Sequence, residues 1–329
     1  MGRVLLIGAV AIVVAIIGAA ATFGWLVFRD DRLPVVAAHV DVAQGASANA
    51  IGHQLEEQGV IADATLLAAY FRIWGGGDRI EAAEYDVPSH RTIAQVAAIL
   101  EAGGHPPFVW ITFPEGFTAS QMGQRLAAAG IVPAAAFAQA VRDRFLVLGG
   151  VATRGLEGYL FPDTYQIPRG AGADAVASIM TQQFQRELPA GAIAAARHLG
   201  YSLPQIVIVA SMIEREAKVD RDRPLIASVI YNRLRLGMPL EIDATIEYAL
   251  PQHKTELSFA DLALDSPYNT YKHTGLPPTP ISNPGKASLL AALHPASTPY
   301  LYYVYKGDGE HEFSTTLEQQ QANERRYLR

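Results

Sequence analysis

Apolar and polar positions change their rhythm three times along the chain. Residues 4–28 hold 25 positions without a charge, bracketed by Arg3 on one side and by Arg29, Asp30, Asp31 and Arg32 on the other. As a helix, such a stretch is roughly 37 Å long, more than the ~30 Å hydrocarbon core of a bilayer, and it predicts a membrane anchor. A cleaved signal peptide is the alternative, with Ala19-Ala20-Ala21 as its small-residue site. Signal cores run about 7–15 residues, however, and this stretch stays apolar beyond those alanines. Positive residues stand at both ends, so the charges leave the orientation open. Residues 1–3 form only a short tail, and everything functional is expected after the anchor.

From residue 38 the pattern becomes short alternating runs followed by helical periodicity, and it repeats. Residues 40–61 and 111–132 align without a gap at an offset of 71: Gly45 with Gly116, Gly52 with Gly123, Leu55 with Leu126, Gly59 with Gly130. Each unit reads as a strand (Val40-Asp41-Val42 in the first, residues 109–113 in the second), a turn glycine, and a helix that ends at glycine. Ser47 and Thr118 stand where amino-terminal caps belong. Between the two units, Tyr85-Asp86-Val87 and a helix over 92–100 form a third piece. Units of this kind resemble ligand-binding modules of the LysM type, although a duplicated scaffold fits the same pattern. The expected LysM-like region therefore runs over 38–150. Gly75-Gly76-Gly77 lacks the strand–glycine–helix context of a phosphate loop, which argues against nucleotide binding.

Beyond residue 150 the motifs become denser. Gly155-Leu156-Glu157-Gly158-Tyr159-Leu160-Phe161-Pro162-Asp163-Thr164-Tyr165 gathers an acid, aromatics, glycine and proline, as a sugar or peptide cleft does. A tight turn with a hydrophobic plug has the same composition. Ser202 and Gln205 form a capping box for a helix whose first turns are apolar all round except Ser211, so it is expected to be central and buried. Glu214 and Glu216 leave that apolar wall, where desolvation raises a carboxyl toward the range of a general acid at neutral pH. Glu214 also stands four residues before Lys218, the spacing of a plain surface ion pair. Spacing does not choose between the two glutamates. A second helix, capped by Asp222, is expected to end at Leu236, with Tyr231, Asn232 and Arg233 able to reach a shared cleft. Residues 241–285 read as proline-stiffened loop, a hairpin follows over 300–313, and a last helix starts at a capping box of Thr315 and Glu318.

Composition narrows the chemistry. A net charge of −6 with 26 Lys and Arg argues against nucleic acid as a partner, and the absence of cysteine removes disulfides, thiolate metal sites and cysteine nucleophiles. None of the five lysines (Lys218, Lys254, Lys272, Lys286, Lys306) sits by a phosphate-binding turn, as a pyridoxal-phosphate enzyme requires, or three residues after a serine. The histidines show no HExxH spacing, so neither a metal nor a cofactor is expected.

The blocks Leu156 to Tyr165, Ala210-Ser211-Met212-Ile213-Glu214-Arg215-Glu216, Ser266-Pro267-Tyr268-Asn269-Thr270-Tyr271 and Gly275-Leu276-Pro277-Pro278, in that order, resemble the YceG-like family of endolytic murein transglycosylases. His294-Pro295-Ala296, Tyr300 to Val304 and His311 to Thr315 continue the likeness over essentially the whole chain. One departure is mild: the acidic helix reads Glu-Arg-Glu-Ala where Glu-Lys-Glu-Thr is the family's usual form. The resemblance implies an α+β protein with a transmembrane helix, a LysM-like subdomain and a mixed catalytic domain over 151–329. It implies an inner-membrane location with the bulk in the periplasm, and peptidoglycan synthases as neighbours. It also implies cleavage of MurNAc–GlcNAc bonds in nascent glycan strands to 1,6-anhydro-MurNAc ends, and it maps the catalytic glutamate to Glu214. Such a reaction needs one carboxyl that gives and then takes a proton, unlike the carboxylate pair of ordinary glycosidases. Glu157, Tyr159, Asp243, Asn269 and Tyr271 are the expected binding or orienting residues. A noncatalytic peptidoglycan-binding scaffold, which would keep the anchor and the repeats, has no need of Glu214.

Overall fold

The computed structural model describes residues 2–30, 32–105, 107–252, 254 and 257–328, with side chains from residue 7 onward. The chain divides into two compact units, Met1–Val109 and Trp110–Arg329.

In the first unit the apolar stretch forms one helix, α1 (Gly2–Phe28). It is followed by β1 (Ala38–Val42), α2 (Ala48–Glu57), α3 (Ala64–Trp74), β2 (Ala83–Val87) and α4 (Ile93–Ala102). β1 and β2 pair antiparallel from Ala38 opposite Val87 to Val42 opposite Ala83. Alternation places Val40, Val42, Ala83, Tyr85 and Val87 on the buried face, where they meet Ile51, Leu55, Leu67 and Leu100 from the helices. The caps are local and follow the sequence: Ser47 accepts from Ala50 N–H, Asp63 from Thr65 and Leu66 N–H, and Thr92 forms a capping box with Gln95.

The second unit opens with the same order of elements. β3 (Phe108–Thr112), α5 (Ala119–Ala128) and α6 (Ala134–Asp143) lead, past the short hairpin β4 (Val147–Leu148) and β5 (Val151–Ala152), to β6 (Thr164–Pro168), which pairs with β3. Both repeats are thus strand, two helices, strand, with the outer strands paired. The two compact units divide between Val109 and Trp110, inside β3. The reason is the long-range pairing of β3: Phe113 N–H donates to Asp163 O at 2.9 Å, and the Thr112 and Thr164 hydroxyls meet at 2.8 Å.

Next come α7 (Ala173–Glu187), α8 (Ala192–His198), α9 (Leu203–Glu216), α10 (Arg223–Leu236), α11 (Asp243–Ala249), α12 (Phe259–Leu262), α13 (Lys286–Leu293), the hairpin β7 (Tyr302–Tyr305) and β8 (His311–Ser314), and α14 (Leu317–Tyr327). α9 is the central helix its sequence predicts. Every residue from Ile206 to Ile213 is buried, and α8, α10, α11 and α13 pack around it. Two caps differ from expectation. Asp222 makes no cap to α10, because its carboxylate accepts instead from His311 N–H (2.8 Å) and lies 3.0 Å from His311 Nδ1. α14 is capped by Thr316, one residue later than Thr315, with Gln319 rather than Glu318 reaching back. Residues 243–249, expected as loop, are helical.

Candidate active site

Glu214 ends the buried face of α9, and three segments remote in sequence close around it. Ser211, fully buried one turn earlier, accepts a bond from Ile281 N–H (3.0 Å), and its carbonyl accepts from Ser282 Oγ (3.0 Å). That zips residues 281–285 onto α9 and delivers Gly285 N–H to Glu214 Oε2 at 2.9 Å. From α10, Arg223 Nη1 reaches Glu214 Oε1 at 3.1 Å, with Ser288 and Asp220 holding the same guanidinium. The third segment is the turn at Glu115 and Gly116. Gly116 N–H donates to Asn283 O (3.0 Å), and Asn283 N–H donates to Phe117 O (2.9 Å). Glu214 therefore pairs with Arg223 and not with Lys218; its side chain is only 5% exposed.

Glu115 was not singled out by its sequence, where it stands in an ordinary Pro-Glu-Gly turn. In the structure its carboxyl lies flat on Gly285: a Cβ added there would stand 1.7 Å from Glu115 Oε1 and 2.2 Å from its Cδ. Partial burial, and then the neighbouring Glu214 charge, raise the Glu115 carboxyl above the ordinary glutamate range. Gly285 has φ −77° and ψ 175°, which alanine adopts freely, so Gly285→Ala disturbs only this contact. The expected result is a loss of roughly 10²-fold in kcat with little change in Tm, because the added Cβ pushes the Glu115 carboxyl away from Glu214 while the Gly285 donor stays in place. Adding Glu115→Ala removes the clash, so the double variant falls no further than Glu115→Ala alone.

Glu214 lies in a depression of about 410 Å³ lined also by Glu115, Glu216, Asp243 and Glu247, with Arg215, Lys218 and Lys254 as counter-charges. It does not stand alone. On one side it shares Arg215, Ala244 and Glu247 with a depression of about 400 Å³; on the other it shares Glu216 and Asp243 with one of about 540 Å³. The latter is walled by Tyr271, Tyr302, Tyr303 and Tyr305. The three depressions adjoin through these shared residues, and Glu214 lines the central one.

Glu216 faces the aromatic end of that groove. Tyr303 Oη donates to its Oε2 at 3.0 Å, and burial pushes its pKa from 4.5 to about 7. Between those values the folded chain holds a proton that the unfolded chain has released, so stability falls as pH rises from about 4.5 to about 7 and is level above. Glu216→Gln keeps an acceptor for Tyr303 and removes this loss. It is expected to be more stable than the parent by roughly 1–3 kcal/mol at pH 8 and nearly equal to it at pH 4, as measured by urea unfolding.

The other expected site residues separate into two groups. Asp243, at the start of α11, accepts from Tyr271 Oη, and both line the groove. Glu157 lines the depression on the other side. Its carboxylate takes bonds from Ala119 N–H, Asn283 Nδ2 and Tyr248 Oη, but burial outweighs these donors and pushes its pKa to about 7. Tyr159 and Asn269 are interior. Tyr159 packs edge-on against Phe184 with ring centres 5.4 Å apart, and Asn269 is fully buried, donating to the Leu262 and Leu264 carbonyls. The motif around Glu157 is thus a tight turn with a hydrophobic plug: Leu156, Tyr159, Leu160, Phe161 and Tyr165 all point inward. Gly158 (φ +88°) passes so close to Pro280 that a Cβ would stand 2.4 Å from its ring. On α10, Asn232 holds the 298 and 300 carbonyls and Tyr231 the Ala292 carbonyl, away from the groove, whereas Arg233 does line its aromatic end.

Residues 40–326 match the YceG-like family, and the chain belongs to it. A protein named endolytic murein transglycosylase from Bacillus subtilis is 41% identical over 181 residues, which is 53% of this chain and 48% of that protein. One of the same name from Streptococcus pneumoniae is 27% identical over 88% of this chain and 59% of its own length. The chain thus spans about half to three-fifths of the curated relatives it matches. A YceG-like protein from Listeria monocytogenes, solved by crystallography, superposes with a TM-score of 0.61 at 30% identity, over 88% of this chain and 99% of the other.

Proposed function

We propose that this chain is a membrane-anchored endolytic lytic transglycosylase of peptidoglycan, with Glu214 as its single acid and base. The observation that carries the reading is the place of Glu214 in the central one of three adjoining depressions. An enzyme that cuts inside a strand needs room for sugar on both sides of the acid. Names carried by the relatives support the substrate.

Protonated Glu214 donates to the glycosidic oxygen as the C1–O bond of the muramoyl residue breaks through an oxocarbenium-like state. The substrate's own N-acetyl oxygen shelters C1. The Glu214 carboxylate then takes the proton of the muramoyl 6-hydroxyl as O6 bonds to C1, so the anhydro ring closes, no water is consumed and the enzyme regains its starting proton. While bare, that carboxylate meets the Arg223 and Gly285 donors, already in place. Asp243 and Tyr271 orient the sugar, and the tyrosines of the aromatic end stack on its apolar face. Tyr159 and Asn269 support the walls from within.

Residues 4–28 anchor the chain in the inner membrane with the rest in the periplasm, and cleavage near the synthases terminates strand elongation. The two strand–helix–helix–strand repeats are read as LysM-like modules, from their order and paired outer strands. The test uses the detergent-solubilised full chain and uncross-linked glycan strands. Cleavage within strands supports the proposal; strand binding with no cleavage refutes it in favour of a scaffold.

A further inference from the structure

The last turns of α1 are part of the first unit's core. Val27 is fully buried, and Phe23 packs against the cluster formed by α2, α3 and α4. Phe23 stacks on Trp74 at the end of α3, with ring centres 5.8 Å apart and planes 13° off parallel, and Tyr70 stacks on the same indole at 4.9 Å. Yet Trp74 is 52% exposed and the adjoining Ile73 62% exposed. No element among the described residues covers them.

α1 supplies a ruler for where they lie. Its uncharged stretch, residues 4–28, amounts to roughly 37 Å of helix, a few Å longer than the ~30 Å core of a bilayer. With that excess shared between the two ends, the boundary falls within the last turns of α1, between Phe23 and Phe28. Trp74, its ring centre 5.8 Å from that of Phe23, lies at this interfacial level. At that depth the occupant of the open face of Ile73 and Trp74 is lipid rather than water.

We propose that the carboxyl-terminal tip of α3, Arg72-Ile73-Trp74, is a second membrane contact that dips into the bilayer interface beside the anchor. The proposal rests on the reading of α1 as a retained anchor. The chemistry suits the place. Indole rings settle at the headgroup level, where the apolar face is dry and the N–H is wet, and isoleucine fills the acyl boundary. Arg72, exposed in the last turn of α3, is positioned for headgroup phosphate. Trp25, 63% exposed with the Arg29 guanidinium 5.0 Å above its ring, makes the matching pair on α1 itself. Two contacts, one spanning and one interfacial, fix the height and tilt of the first unit, which a single helix leaves free to pivot.

The chain has three tryptophans, so each is readable in turn. The full chain is reconstituted in phosphatidylcholine–phosphatidylglycerol vesicles carrying acyl chains brominated near the headgroup. One variant keeps only Trp74 (Trp25→Phe, Trp110→Phe), and another keeps only Trp25 (Trp74→Phe, Trp110→Phe). Circular dichroism confirms that both are folded. Trp74 emission is expected to be blue-shifted and to lose roughly half its intensity to the brominated lipid, as Trp25 emission does. Quenching of Trp25 without quenching of Trp74 would show an inserted anchor with the α3 tip outside the bilayer, and it overturns the proposal. If in that case Trp74 is also shielded from aqueous acrylamide, a second copy or another protein covers it. Quenching of neither indole removes the anchor reading, and this proposal with it.

Discussion

Glu214→Gln is expected to abolish strand cleavage, with kcat reduced by roughly 10²–10⁴-fold, while the thermal transition and glycan affinity stay near those of the parent. The amide has the shape of the acid, and its single oxygen accepts from Arg223 or from Gly285 but not from both, as the two carboxylate oxygens do; it has no acidic proton to give to a leaving oxygen. Local structure argues that the fold survives. The carboxyl sits at the end of α9, past the buried run that ends at Ile213, and the loop 281–285 is held to α9 by Ser211 independently of it. Turnover by Glu214→Gln above one-tenth of the parent would move the chemistry to another carboxyl of the groove, Glu115 first.

The second large effect is on stability. Asn283 is fully buried and spends its whole side chain on two loops. Its Oδ1 accepts from Gly158 and Leu160 N–H, both at 2.9 Å, and its Nδ2 donates to Phe117 O and Glu157 Oε1, both at 2.9 Å. Asn283→Leu keeps the volume and strands two backbone donors and a carboxyl in the interior. At about 1–3 kcal/mol for each unsatisfied group, the expected loss is roughly 3–9 kcal/mol. For a unit of this size that is a drop of roughly 10 °C or more in Tm. Cleavage falls with it even well below the new Tm, because Asn283 also ties the Glu115 turn to the Gly285 turn. A shift of less than 1 kcal/mol in urea unfolding would contradict this role.

What the sequence made legible was local. The capping box at Ser202 and the caps at Ser47 and Thr118 marked helix starts because cap and partner lie within four residues. The apolar run of α9 announced a central helix with its acids at the exit. What stayed hidden depends on chain closure. Arg223, Gly285 and Glu115 meet Glu214 from segments 9, 71 and 99 residues away along the sequence, and nothing in their own neighbourhoods marks them. Asp222 looked like a cap until His311, 89 residues later, took its carboxylate. The aromatics around Glu157 fit a cleft by composition, but the close approach of Gly158 to Pro280 turns them inward. The repeat at offset 71 was visible, whereas the assignment of its second copy to the second unit was not, since it depends on β3 finding β6.

One measurement tests the central claim most directly: the mass of the new end formed when uncross-linked glycan strands are cut. If Glu214 alone gives and takes the proton, each muramoyl end is lighter by one water than a reducing end, and Glu214→Gln yields none. Ends carrying the added water, formed by the parent protein and lost in Glu214→Gln, would contradict the account and point to a hydrolase with a second carboxylate as base.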